Sequence, residues 1–169
     1  MVGKWLFKAA LILIIVFTGY KVITGLNKSE EDKIRDKINE LKEVMNKDED
    51  IGKAKLILKN QSFKKLLDNP VQVNISSYNT SRTFSPREAA AQLTKIQTQI
   101  NEIKIKFYDL EISVDKDQAM VNTAVRATAV NGSQKTAESA AIQIKMIKDE
   151  NNEWLFKSFQ EIDVLRKTE

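Results

Sequence analysis

The sequence predicts an α+β domain carried behind a membrane-spanning helix, and three observations make that prediction. An apolar run near the amino terminus is long enough to cross a bilayer. Apolar residues in the middle of the chain recur at helical spacing, and from Ile103 onward the period changes to two and stays there. Helical patterns followed by a run of strand patterns give α+β rather than an alternating parallel-sheet architecture.

The first element is Trp5 to Ile23, 19 residues broken only by Lys8 and Lys21. As a helix it rises about 28 Å, close to the ~30 Å hydrocarbon core of a bilayer. Lysines near its ends, with Trp5 and Tyr20, fit a span anchored at both interfaces. No Ala-x-Ala precedes a cleavage point, so the run reads as a retained signal-anchor over residues 1–26. That implies a single-pass cell-membrane protein with residues 27–169 on the extracytoplasmic, periplasmic side. It also makes the membrane a partner.

Next, Ser29 caps a helix whose first turn is acidic, and Ile34, Ile38, Leu41, Val44 and Met45 form its apolar stripe. A second, irregular helical segment runs from Ile51 to Leu67 and ends before Asn69-Pro70. Val71, Val73 and Ile75 alternate as a short strand, followed by a loop from Ser76 to Phe84. Ser85-Pro86-Arg87-Glu88 then combines an N-cap, proline at the first helical position and a capping-box glutamate, which starts a third helix ending near Asn101.

Four long strands complete the chain. Ile103, Ile105 and Phe107 share one parity and Leu110, Ile112 and Val114 the other, so a β-bulge is expected at Tyr108 to Asp109. Asp115-Lys116-Asp117, Asn131-Gly132 and Asp149 to Glu153 are the turns. The prediction is therefore three helices packed on a curved antiparallel sheet of four long strands plus a short one.

This pattern resembles the nuclear transport factor 2-like superfamily, the cone-shaped fold shared with ketosteroid isomerase and polyketide cyclases. The stretches that carry the resemblance are SEEDKIRDKINELKEVM, SPREAAAQLTKIQTQI, IKIKFYDLEISVD, QAMVNTAVRATAV, ESAAIQIKMIKD and EWLFKSFQEIDVL. With a membrane helix in front, the chain also resembles the bitopic inner-membrane assembly proteins of bacterial type IV secretion and conjugation machines, and anchored bacterial members of unknown role, which implies a place in an envelope or secretion assembly. The reading that follows is a non-catalytic binding or scaffold domain for a partner protein, a second copy or a small apolar ligand, and the alternative is a cone-fold isomerase or cyclase acting on a small apolar ligand.

Composition narrows the chemistry. The chain has no Cys and no His, which excludes thiolate and imidazole metal sites, cysteine nucleophiles and imidazole proton transfer. Its 5 Gly are scattered, so no phosphate-cradling loop exists and no cofactor or metal is called for. After residue 26 there remain 24 basic and 23 acidic residues, a balance that does not indicate nucleic acid.

The resemblance implies that a catalytic member would hold a carboxylate inside the cone, and Asp109 beside Tyr108 is the candidate pair. Parity on the last strand places Trp154, Phe156, Ser158 and Gln160 inward with Thr123, as candidate pocket residues, and turns Glu161 outward. The same parity puts Leu155 and Phe159 outward with Ile147 and Arg126, as a candidate interface for a homodimer or other protein. Lys53, Lys55, Lys59, Lys64 and Lys65 interleave with apolar residues one helix away from the span, which makes them candidates for contact with anionic headgroups.

Overall fold

The structure, a computed structural model, describes residues 28–162. Helix α1 (Glu30–Met45) begins where the Ser29 hydroxyl accepts from the Asp32 amide at 3.1 Å, with Glu30, Glu31 and Asp32 in the first turn. Its stripe is buried almost completely at Ile34, Ile38, Leu41 and Val44. At its carboxyl end the Asn46 side chain accepts from the Ile105 amide, and Lys47 bridges Ile103, so the helix exit is tied to the sheet.

Helix α2 (Lys53–Leu66) has only Gly52 as its cap and buries Leu56, Asn60, Phe63 and Leu66. Strand β1 (Leu67–Ile75) follows without a break, through a cis Asn69-Pro70 bond. A 3-10 turn (Ser76–Tyr78), closed by Asn79 in the left-handed region, leads into β2 (Thr80–Phe84). Helix α3 (Pro86–Gln99) opens with the expected capping box, the Ser85 and Glu88 side chains bonding each other's amides.

The remaining strands are β3 (Glu102–Asp115), β4 (Gln118–Asn131), β5 (Gln134–Lys148) and β6 (Trp154–Ile162). All six strands form one sheet in the order β2-β1-β6-β5-β4-β3, antiparallel except where β1 runs parallel to β6. The α+β class and the three helices stand, but the sheet is mixed and six-stranded instead of four long antiparallel strands plus a short one. Residues Thr80–Phe84, expected as loop, make a strand because they pair in register with β1. Thr-Ser-Arg-Thr-Phe favours extended backbone without an apolar alternation to reveal it.

The membrane helix expected over residues 5–23 lies outside the described residues, and among those described no helix is long and apolar enough to cross a membrane. Nothing in the structure supports the single-pass anchor, the periplasmic placement, the envelope or secretion assembly or the membrane as partner. Those expectations are withdrawn.

Bulges in β3 and β6 bend the sheet, and the β1–β6 pairing also shifts register between Leu67 and Gln72. In β3 the register shifts between Tyr108 and Glu111, with Asp109 at φ 52. In β6 Lys145 faces Ser158 while Met146 faces Phe156, so Lys157 is the extra residue. Bulges of this kind increase twist and curl a sheet. The helices fill one end of the concave face around Trp154, Phe156, Ile144, Met146 and Val121.

Candidate functional site

Burial along β4 locates the open part of the cone. Its inward residues Ala119, Val121 and Thr123 are buried beneath the helices, whereas Val125, Ala127 and Ala129 are only half-buried. Strands of 14 and 15 residues simply outrun the helices that cover them. The uncovered end forms a hollow of about 470 Å3. Val125 and Ala127 of β4, Ala140 and Ile142 of β5 and Ile75 of β1 supply its apolar lining.

Polar groups stand at the rim. The Tyr78 hydroxyl donates to the Glu138 carboxylate at 2.5 Å. The Ser77 amide donates to Glu161 Oε2 at 2.7 Å, and the Ser76 hydroxyl donates to the same oxygen at 3.1 Å. The 3-10 turn therefore holds both carboxylates, Glu161 through Ser76 and Ser77 and Glu138 through Tyr78. The hydrogen bond to Glu138 raises the Tyr78 pKa above the ordinary phenol value, so the phenol stays neutral. The Ser77 amide is the main cause of a lowered Glu161 pKa, which keeps that side chain ionised.

Glu161 and Phe159 face inward because of the β6 bulge. Ile142 pairs with Glu161 and Ile144 with Phe159, and the Phe159 ring stacks on Phe156 at 5.6 Å between centroids. Ser158 and Gln160 pair with Lys145 and Gln143 on the convex side. The inward parity read for Ser158 and Gln160, and the outward parity read for Phe159 and Glu161, are thus reversed beyond Lys157. Glu138, Tyr78 and the Ser76–Ser77 turn were not singled out by the sequence reading. The parity slip on β6, Phe156 and Phe159 being three apart, was a signal for Glu161 alone.

Thr123, Trp154 and Phe156 do face the concave side, within its closed end. Each is buried. The Thr123 hydroxyl donates to the Tyr108 carbonyl at 2.7 Å, so it satisfies backbone freed at the β3 bulge. The Trp154 indole donates to Glu30 at 2.8 Å. Tyr108 is exposed on the convex face opposite Ala124, and Asp109 is an exposed residue of the bulge that does not line the hollow.

Ile147 and Leu155 are convex neighbours, both half-buried, while Arg126 is exposed beside Lys106 on β3 and Ser139 on β5. Without Phe159 the apolar convex patch shrinks to a corner by Met120, interrupted by Lys145 and Lys157. Lys53 begins α2, and Lys55, Lys64 and Lys65 on that helix are exposed. Lys59 is half-buried: it donates to the Asn46 carbonyl at 2.5 Å and burial lowers its pKa. A larger cleft of about 750 Å3 lies beside these lysines between α1 and α2, but it sits outside the cone and mixes four carboxylates with Lys55 and Lys59. Among the described residues no group of three or more acidic side chains could hold a metal ion.

The Kfla4162 protein of Kribbella flavida superposes with a TM-score of 0.65 at 11% identity, over 78% of this chain and 88% of that one. An NTF2-like superfamily protein of Salmonella enterica gives 0.60 at 13%, over 79% and 90%. The fold is the nuclear transport factor 2-like cone. Aln2 of Streptomyces gives 0.60 at 10%, over 80% and 92%. No protein-family model and no curated protein matches the sequence. Identities this low speak for the shared cone alone, and function has to be argued from the hollow.

Proposed function

We propose that this cone domain binds a small, largely apolar ligand in the open half of its concave face. The observation that carries the reading is the hollow itself: about 470 Å3, with Ile75, Val125, Ala127, Ala140 and Ile142 as its apolar lining and Ser77, Tyr78, Glu138, Ser139 and Glu161 as its polar lining. Small-molecule sites commonly have this size and this division of labour. Its walls are strands held in register, so the site is formed before any ligand arrives. Ala140 lies on the floor, and Ala140→Phe should fill it. The variant should keep the fold by circular dichroism yet lose binding of 2-phenylethanol. Undiminished binding by that variant would place the ligand elsewhere.

One observation favours a second reading, a cone-fold isomerase or cyclase. Tyr78 and Glu138 already share a short hydrogen bond at the rim. A phenol donor and a carboxylate base within reach of one bound ligand are the pieces that proton transfer requires. In this reading Glu138, and not Asp109, is the base. Glu138→Gln would then abolish turnover while ligand binding persists, and turnover that survives would exclude it.

A further inference from the structure

The hollow carries a charge pattern that its apolar floor does not require. Both charged side chains that line it, Glu138 and Glu161, are acidic. Among the described residues neither forms an ion pair, although Lys28, Lys33, Lys37, Lys104, Lys148 and Lys157 all do so elsewhere. Each carboxylate has an oxygen to spare. Glu138 accepts from Tyr78 through Oε2, and Glu161 accepts from Ser76 and Ser77 through Oε2, which leaves Oε1 of each for a donor that the hollow itself does not provide.

The carboxylates frame the site instead of crowding one point. Glu138 stands on β5 four residues before Ile142, the cross-strand partner of Glu161, a separation of about 13 Å along the strand at ~3.3 Å per residue. Between them lies Ala140, and Tyr78, largely exposed, adds an aromatic ring to the same lining. A cation beside that ring gains from its quadrupole as well as from the carboxylates. An anionic ligand meets like charge on both sides with no basic lining group to offset it, and a neutral one gains nothing from the two carboxylates.

We infer that the hollow selects an organic cation, a protonated amine or a related N–H-bearing cation on an apolar body, with the charge at one of the two rim carboxylates, Glu138 or Glu161, and the body on Ala127, Ala140 and Ile142. This rests on the ligand-site reading above and specifies its substrate class.

The test uses the full chain, 15N-labelled, and three probes of matched shape: phenethylammonium, 2-phenylethanol and 3-phenylpropionate. Amide shifts of Val125, Ala127, Ala140 and Ile142 report occupancy. Phenethylammonium should bind at least tenfold more tightly than the alcohol, and phenylpropionate most weakly. In the Glu138→Gln/Glu161→Gln variant the cation's advantage should fall below twofold, while the alcohol's unchanged binding shows that the hollow is intact. Equal binding of cation and alcohol by the unaltered chain would overturn the charge inference and leave the site reading standing. No response from any probe would remove the site reading as well. Cation binding that emerges only after Arg166→Ser and Lys167→Ser would assign the carboxylates to the chain's own following residues and overturn the inference.

Discussion

Glu30 is the perturbation whose consequence can be worked out most fully, because one carboxylate joins α1 to two strands. Its Oε1 pairs with Lys33 at 2.8 Å, and its Oε2 receives the Trp154 indole at 2.8 Å and pairs with Lys148 at 3.1 Å. The hydrogen bonds from Lys33, Trp154 and Lys148, in that order, lower its pKa from 4.5 to about 2. Taken at face value that difference corresponds to ~3 kcal/mol. The Glu30 side chain is 34% exposed, however, and solvent screening reduces the ionic part to about 1 to 2 kcal/mol. Glu30→Gln should cost that much, since the amide oxygen can still accept from the indole. Glu30→Ala should cost about 2 to 4 kcal/mol, because it also strands a buried indole N–H.

The pH dependence follows from the depressed pKa. Stabilisation is complete above the unfolded carboxyl's value near 4.5 and disappears as pH falls through about 2. The groups that face Glu30 are Lys33 from α1, Lys148 from β5 and the indole of Trp154 from β6. Urea unfolding followed by far-UV circular dichroism should therefore show the parent chain more stable than Glu30→Gln at pH 7, the gap narrowing below pH 4.5. Equal stabilities at pH 7, or a gap that persists below pH 2, would refute the reasoning.

Three further outcomes can be checked by the same unfolding assay. Phe156→Ala, at a fully buried ring stacked on Phe159, should cost about 3 to 5 kcal/mol, and a loss under 2 would mean the core there collapses around the cavity. Ser85→Ala removes one half of the α3 capping box and should cost about 1 kcal/mol, with no change in ligand binding. Thr123→Val leaves the Tyr108 carbonyl without its hydroxyl donor, so it should cost about 1 to 3 kcal/mol and speed amide exchange around the β3 bulge.

The parts of this fold written as periodicity could be read from the chain, and the parts written as pairing could not. Ser85, Pro86 and Glu88 announce α3 because a capping box needs those residue types at that spacing. The switch from Phe107 to Leu110 announces the β3 bulge because the inward face must stay apolar across an inserted residue. The switch from Phe156 to Phe159 carries the same message for β6, and overlooking it inverted every side chain beyond Lys157, as a one-residue slip must. Thr80–Phe84 gave no apolar alternation, and its strand exists through register with β1. The rim of the hollow was hidden for a related reason: Tyr78 and Glu138 lie 60 residues apart, and only the mixed sheet brings the turn after β1 over the open end of β5.

The central claim is that a small ligand occupies the open half of the cone, and intermolecular nuclear Overhauser effects from bound 2-phenylethanol test it most directly. The account predicts contacts from the probe's ring to the methyl groups of Val125, Ala127, Ala140 and Ile142. Contacts confined to Ile51 and Leu58, in the cleft between α1 and α2, would contradict it.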